Sequence, residues 1–477
     1  MRITLIVPPS SFQLDERVYP MLGVLRVAAA LESDGRHEVN AWDLSGQSSY
    51  LQDRVGAYLD AQESADVYGI TATMPQMPAA TAIASALRAF EVDARIILGG
   101  AHPTLINAAA KQGVVRSRQM LEDLRGVFDV VVAGDGERAI FDALAPSAPW
   151  LVDADRPGTA LFLTAADLRD APLPARHLID LASYHCLVDG VPATSVIAQL
   201  GCPFRCGFCG GRNSPTFRRV RNRAPREIVE ELITLDQQFG YKAFMFLDDE
   251  LNISRTVFPE LLREIAAVQA RLGVTWRLCG LLKSELFTQE QADLMYAAGF
   301  RKILVGFESG DPEMLDNMRK GATVEDNTKA VEMAHRAGLK IKALMSLGHP
   351  GESWSSIRNT RDWLLDVRPD EFDATVITVY PGTPYHDEAI ETAPGVWTYT
   401  AKNGDRLHAR AIDQFVDTPY YKGIPGQYQS YVWTDHLASP ELVEERDALE
   451  RTVRGALQIP WPTSAAELDF EHSMGCR

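Results

Sequence analysis

The sequence predicts an α/β protein made of two successive parallel-sheet units. A Rossmann-like (flavodoxin-like) domain is followed by a partial (βα)6 TIM barrel and a small C-terminal region. Three observations predict this. Short β-branched runs alternate with amphipathic stretches of helical spacing from Arg2 to about Leu144, the mark of βαβ units. The same alternation restarts at Thr194 and continues through six strand and helix pairs. Between them lies a stretch rich in Pro, Asp and Ala with no sustained period, including Asp170-Ala171-Pro172-Leu173-Pro174, which reads as a linker. The expected division is a first domain over 1–145, a linker over 146–192, a barrel over 193–385 and a C-terminal region over 386–477.

The first unit is expected to hold five strands: Ile3 to Val7, Glu38 to Leu44, Asp66 to Thr71, Arg95 to Leu98 and Phe128 to Ala133. Leu22, Leu25, Ala29 and Ala30 share a helical face between the first two. The loops Pro8-Pro9-Ser10, Thr73-Met74-Pro75, Gly99 to Thr104 and Gly134-Asp135-Gly136-Glu137 then fall at the carboxyl ends of strands, where open α/β sheets bind ligands. The barrel strands are expected at Ser195 to Leu200, Ala243 to Leu247, Val274 to Leu278, Ile303 to Phe307, Ile341 to Leu347 and Thr375 to Val379. One barrel helix is clearly bounded, since Pro225 suits a helix start and Ile228, Val229, Leu232, Leu235 and Phe239 recur at helical spacing before Gly240. Past Tyr385 the pattern weakens. Trp397, Tyr399, Tyr420, Tyr421, Tyr428, Tyr431 and Trp433 suit a substrate cover, an oligomer contact or the packing of a small cap.

With 46% hydrophobic and 23% charged residues the chain is globular rather than disordered. Forty-seven basic against 64 acidic side chains give a net charge of −17, so the molecule repels phosphate backbones and anionic lipid. No nucleic-acid or membrane partner is expected. The apolar run from Ile3 is stopped by Pro8, too short for a signal peptide or membrane span, and a cytoplasmic location is expected. The six cysteines, Cys186, Cys202, Cys206, Cys209, Cys279 and Cys476, are too few and too clustered for a disulfide framework, and such clustering points to metal.

The strongest chemical signal is Gly201-Cys202-Pro203-Phe204-Arg205-Cys206-Gly207-Phe208-Cys209, directly after an expected strand. Structural zinc closes with four ligands, and catalytic zinc draws its ligands from separated positions. Thiolates also hold iron-sulfur clusters, and three ligands for four irons leave one iron open to a chelating molecule. The motif, its place after the first barrel strand and the six-unit repeat resemble the radical S-adenosylmethionine superfamily. The resemblance implies that Cys202, Cys206 and Cys209 ligate a 4Fe-4S cluster, with Phe208 as the aromatic often placed before the third cysteine. It further implies that the open iron chelates S-adenosylmethionine, that one electron then yields a 5′-deoxyadenosyl radical, and that a donor such as flavodoxin or ferredoxin is a partner.

Other segments fit the same resemblance. Phe246-Leu247-Asp248-Asp249-Glu250 gathers three carboxylates, a costly cluster unless it meets a cation or donors. The ammonium of S-adenosylmethionine suits Asp248, Asp249 and Glu250, with helix capping by Asp249 or Glu250 as the alternative. Gly306-Phe307-Glu308-Ser309-Gly310 resembles the family segment near the methionine carboxylate and ribose, which implies cofactor contacts from Glu308 and Ser309. Gly348-His349-Pro350-Gly351-Glu352-Ser353 and Tyr380-Pro381-Gly382-Thr383-Pro384 follow the fifth and sixth strands, where barrel sites collect. An arginine common in the family after the third strand is matched here by Arg277 or Lys283, at a register the sequence leaves open. Cys279 reads as a buried small residue, with a catalytic thiol as the alternative. Arg205, Arg212, Arg218, Arg219, Arg221, Arg223 and Arg226 form a basic stretch suited either to cofactor and domain contacts or to an anionic substrate.

An α/β domain ahead of such a barrel resembles the cobalamin-binding subgroup of the superfamily, class B methyltransferase-like, over about residues 1 to 385. The resemblance implies cobalamin contacts from Thr71, Thr73, Gly99, Gly100, His102, Pro103, Gly134, Gly136 and Glu137, the glycines allowing close backbone approach. A nucleotide-binding or ligand-free domain is the alternative. The D-x-H-x-x-G motif that supplies a lower histidine to cobalt is absent from the sequence, so cobalt is expected without one, its lower face either vacant or met by a residue of the Thr71 to Met77 loop, and His37 reads as structural. The implied enzyme methylates an unactivated carbon, or a phosphorus, of a small metabolite. Rearrangement, ring contraction or oxidative cyclisation without methyl transfer is the alternative, and a cofactor-sensing protein is a third reading.

Overall fold

The computed structural model describes residues 1–10, 16–46, 51–61, 64–90, 93–211, 213–417 and 429–460. Strands Arg2–Val7, Glu38–Asp43, Val67–Thr71, Arg95–Gly99, Val130–Ala133 and Leu151–Asp153 form one parallel sheet in spatial order 2-1-3-4-5-6. Helices cover both faces, so the strands are apolar throughout, and the period of two sorts them between two cores. Ile6, Ile70, Ile96 and Leu98 enter one core, while Ile3, Leu5, Val67 and Ile97 enter the other. The order reverses between the first and third strands, which opens a crevice at their carboxyl ends.

The sixth strand corrects the expectation of an irregular linker over 146–192. Leu151–Asp153 joins the sheet edge, the helix Ala165–Arg169 follows, and the strand Leu187–Val188 already belongs to the second unit. Three residues are too few to show a period, so this strand carries no sequence signal.

In the second sheet, strands Val191–Val196, Ala243–Phe246, Arg277–Leu282, Lys302–Glu308, Lys340–Leu347 and Glu371–Val376 run parallel in chain order, with Leu187–Val188 antiparallel at one edge. The helix Pro225–Phe239 ends at Gly240 with φ +77, as expected, and buries Ile228, Leu232 and Leu235 against the sheet. Three strands are shifted from their expected spans. The first ends at Val196 because Gln199–Leu200 leaves the sheet to pair with Arg221–Asn222. The third begins at Arg277 because the Trp276 amide donates to the Gln269 side chain instead of the ladder, 2.7 Å away. The sixth begins at Glu371, and its acidic start is tolerated because Lys342 and Arg454 flank buried Asp373 at 2.8 and 3.4 Å.

The C-terminal region is a four-stranded antiparallel sheet, Ile390–Ala393, Val396–Thr400, Arg406–Arg410 and Val432–Thr434, followed by the helix Ser439–Leu457. This helix covers the open edge strand. Arg446 and Arg454 donate to the Ala374 and Phe372 carbonyls at 2.6 and 2.9 Å, and Glu450 accepts from the Ala374 amide at 2.7 Å. Trp397 and Tyr399 lie on the antiparallel sheet and Tyr431 and Trp433 beside or on its last strand, whereas Tyr420, Tyr421 and Tyr428 lie outside the described residues, as do Arg212 and Cys476. Among the described residues no helix is long and apolar enough to cross a membrane.

Three arginines of the basic stretch find protein partners. Buried Arg221 pairs with Asp135 and donates to the Thr216 and Leu163 carbonyls at 2.8 and 3.1 Å. Arg223 engages Glu231 at 2.6 Å, and Arg226 forms an exposed pair with Glu230. Removing one partner of a buried pair strands the other charge. Arg221→Leu is therefore expected to lower unfolding free energy by about 3 to 5 kcal/mol in urea titration, whereas Arg226→Leu shifts the curve by less than about 0.5 kcal/mol.

Candidate active site

The cysteine loop is fixed by its backbone. The Cys202 amide donates to Phe217 at 2.8 Å, the Gly207 amide to Met318 at 2.6 Å, and the Gly210 amide to the Tyr380 hydroxyl at 3.1 Å. Gly201 has φ +85 and a Cβ there would stand 2.2 Å from the Arg219 carbonyl oxygen; a Cβ on Gly207 would meet Tyr385 at 2.6 Å. Glycine is thus required at both positions for the chain to lie this close.

Cys202, Cys206 and Cys209 line one cavity of about 460 Å³ together with Phe204, Asp249 and Tyr380. Its opposite wall comes from the first sheet's strand ends, Ser10, Thr73 to Gln76 and His102. Burial pushes the Cys202 thiol up to about 11 and raises the other two, with neighbouring cysteines adding to it at Cys202 and Cys209. Three neighbouring thiolates therefore persist only around a multivalent cation. Among the described residues no three His, Cys, Asp or Glu side chains converge closely enough for a single ion; cysteines spread along a cavity wall suit a larger cluster.

The three carboxylates after the second barrel strand divide. Asp248 is buried and accepts from the Ala198 and Gln199 amides at 3.1 and 2.5 Å, and burial raises its carboxyl to about 7. It holds the turn before the cysteine loop. Asp249 faces the cavity, and Glu250 lies near Lys320 and Lys283 with its Oε2 buried and unpartnered. Neither carboxylate caps a helix. An unpaired buried carboxylate oxygen fits an incoming ammonium.

Glu308 sits on a register shift of its strand with φ +65, a left-handed conformation that is strained for a non-glycine residue. It accepts from Lys320 Nζ at 3.0 Å and from the Ser346 hydroxyl at 2.7 Å, and Lys320 holds its carboxyl below the usual range despite burial. Because Ser346 donates to Glu308, its oxygen accepts from His349 Nε2 at 2.8 Å, which leaves Nδ1 to accept from the Tyr385 hydroxyl at 3.2 Å. Burial lowers His349 to about 3, so this chain is neutral at the imidazole. Phe208 packs edge-on against His349 at 5.2 Å. The Ser309 hydroxyl pairs with Thr360 at 2.9 Å and accepts from the Asp311 amide at 3.1 Å.

The register left open after the third strand is resolved. Arg277 lies at the far end of its strand, paired with Asp189 at 3.0 Å. Lys283 lies at the cavity end, buried over the Phe204 ring at 4.4 Å and donating to the Lys320 carbonyl at 3.0 Å. Cys279 is fully buried in the strand among Ala193, Met245 and Leu304, and its sulfur is disulfide-bonded. Lys320 was missed by sequence reasoning, since no motif surrounds it.

A second cavity of about 270 Å³ lies along the first sheet's carboxyl ends, lined by Thr71, Gly99, Gly100, Gly134, Gly136 and Glu137. Gly100 and Gly134 have φ +104 and +100, and a Cβ would reach backbone atoms at 2.8 and 2.6 Å; Gly99 faces open space. Glu137 is paired with Arg26 at 2.5 Å. Thr73 is in the wall of the cysteine cavity, where Gln76 holds its loop by accepting from it at 2.9 Å and donating to Pro8 at 2.9 Å. His102 is in the first turn of the helix Ala101–Lys111, bonded to Gln414 at 2.7 Å and lowered by burial to about 4. Pro103 is buried in that helix. His37 is held near Asp34 at 3.4 Å, far from these loops in the chain.

Residues 196–364 match the Radical SAM superfamily. Over 96% of its length the chain is 25% identical to an uncharacterised methyltransferase of Pyrococcus horikoshii, of which 98% is covered. Over 68% of its length it is 26% identical to the anaerobic magnesium-protoporphyrin IX monomethyl ester cyclase of Cereibacter sphaeroides, of which it spans only 53%. Its fold is that of the radical S-adenosylmethionine methyltransferase TsrM from Kitasatospora setae. The structure of that enzyme with cobalamin and a 4Fe-4S cluster superposes with TM-score 0.64 at 22% identity, covering 84% of this chain and 81% of that one. The same enzyme with tryptophan and an S-adenosylmethionine analogue superposes at 0.67. With its cysteine triplet and strand-end carboxylates, the chain resembles the radical S-adenosylmethionine superfamily over residues 196–364, the part that the family model matches.

Proposed function

We propose that this chain is a cobalamin-dependent radical enzyme that transfers a methyl group to an unactivated carbon, or a phosphorus, of a small metabolite. The observation that carries the reading is the single cavity in which the three cysteines and Asp249 face the strand-end loops of the first sheet. Such a cavity sets two cofactors against one substrate, and the cofactors supply the hard chemistry: a reductively generated carbon radical and a transferable methyl group. The chain's own residues bind and orient. Cys202, Cys206 and Cys209 hold the cluster; Asp249, Glu250 and Glu308 take the polar groups of S-adenosylmethionine. Thr71, Thr73 and the glycines at 99, 100, 134 and 136 give the flat ring and its tail close access. Phe204 and Tyr380 keep water from the reacting centre. The walls also fix the distance between partners. A one-electron donor of the flavodoxin or ferredoxin kind completes the system.

The likeness to a ring-forming cyclase supports a second reading, cyclisation or rearrangement without methyl transfer. Anaerobic reconstitution with iron, sulfide and hydroxocobalamin tests both. About four irons and one cobalt per chain, with 5′-deoxyadenosine formed under reduction, are expected; a product heavier by one methylene unit selects methylation. Iron without cobalt overturns the cobalamin assignment. Gly99→Val gives a specific check, because Gly99 ends a strand and faces open space, so the strand tolerates valine while the cavity fills. Bound cobalt is expected to fall about tenfold with iron unchanged, a difference of about 1.4 kcal/mol.

A further inference from the structure

We propose that a third cavity, about 350 Å³ in size and set between the helix Val115–Asp123, Pro381 and the C-terminal hairpin, is a carboxylate-binding subsite for the substrate, with Arg116 as its anchor. Only the word substrate rests on the enzyme reading above; the binding does not.

Arg116 stands over the Trp397 ring, 4.0 Å from its centroid, which fixes the guanidinium plane at the cavity wall. Its Nη2 is buried and has no hydrogen-bond partner among the described residues. A buried charged donor without an acceptor is costly, and an anion relieves that cost. The neighbouring carboxylates do not fill this role. Asp387 accepts from His386 Nδ1, Asn213 and the Gly382 amide at 2.8, 3.0 and 3.1 Å, and Glu391 accepts from the Gly395 amide at 2.9 Å. Burial lowers Arg116 to about 10, so it remains a cation at neutral pH.

His386 supplies a second polar contact. Burial lowers it to about 4, and since Asp387 takes its Nδ1 proton in a hydrogen bond, Nε2 is a bare acceptor in the same wall. The subsite thus offers a planar cation, an acceptor nitrogen and an indole face. It fits a carboxylate near a hydrogen-bond donor on a flat apolar body. Met74 and Pro381 belong to this cavity and to the cysteine cavity alike, so a molecule anchored on Arg116 borders on the reaction space.

Calorimetric titration of the full chain with indole-3-acetate, 3-methylindole and phenyl phosphate tests the assignment, with and without cluster and cobalamin. Indole-3-acetate is expected to bind wild type at least tenfold more tightly than the Arg116→Gln variant, with partial rescue by Arg116→Lys, while 3-methylindole is insensitive to both changes. Both variants keep good helix formers on a helix, and unchanged thermal unfolding confirms their folds. No saturable binding of indole-3-acetate up to about 10 mM, equal binding to Arg116→Gln, or tighter Arg116-dependent binding of phenyl phosphate overturns the proposal. Binding without S-adenosylmethionine cleavage keeps the subsite and removes the radical reading; cleavage without binding does the reverse.

Discussion

Replacing Cys202, Cys206 and Cys209 together by alanine is expected to lower bound iron from about four per chain to below about one and to abolish 5′-deoxyadenosine formation. Far-ultraviolet circular dichroism is expected to stay unchanged. The fold survives because the loop is held by main-chain groups: the Cys202 amide on Phe217, the Gly207 amide on Met318 and the Gly210 amide on Tyr380. Burial disfavours the charged form of the three thiols, so they are not held as thiolates by the loop alone. Cys279→Ala is the control. It removes a buried, disulfide-bonded sulfur from the barrel core among Ala193 and Met245, so iron is retained while stability falls. Iron retained by the triple variant would move the cluster elsewhere and end the present assignment.

How much of this was legible in the sequence depends on how local each signal is. The cysteine triplet fits within nine residues of one loop, so its chemistry could be read from spacing alone. The first five strands were legible because Ile3, Leu5, Ile97 and Leu98 belong to runs buried on both faces, and such runs stand out against amphipathic helices. Direction was not legible. Asp248 and Asp249 are adjacent carboxylates, yet one turns to the backbone and the other to the cavity; Glu308 and Ser309 are adjacent polar groups, yet one meets Lys320 and the other Thr360. A one-residue difference in facing is set by the local turn and bulge, which composition does not encode. The shifted barrel strands have the same cause, because Gln199 and Trp276 find partners outside the ladder. Long-range partners were invisible. His102 meets Gln414 across 312 positions of sequence.

Lys320→Met is expected to cost about 3 to 5 kcal/mol of unfolding free energy and to weaken S-adenosylmethionine binding at least tenfold in equilibrium dialysis. Lys320 is a buried cation whose Nζ lies 3.0 Å from Glu308 and whose charge also acts on Glu250 and Cys206. Without it Glu308 keeps, among the described residues, the Ser346 hydroxyl as its donor, and its buried carboxylate remains in a low-dielectric wall. The double variant Glu308→Gln with Lys320→Met separates two roles. Removing both partners takes away the stranded charge, so much of the stability is expected to return. Cofactor affinity is not expected to return, because Glu308 itself is assigned to the polar groups of S-adenosylmethionine. Recovery of both quantities in the double variant would make the pair purely structural. Recovery of stability alone would mean that the strained Glu308 is held in place by Lys320 for binding. Its left-handed backbone, φ +65 on a strand bulge, is then the cost of aiming that carboxylate inward.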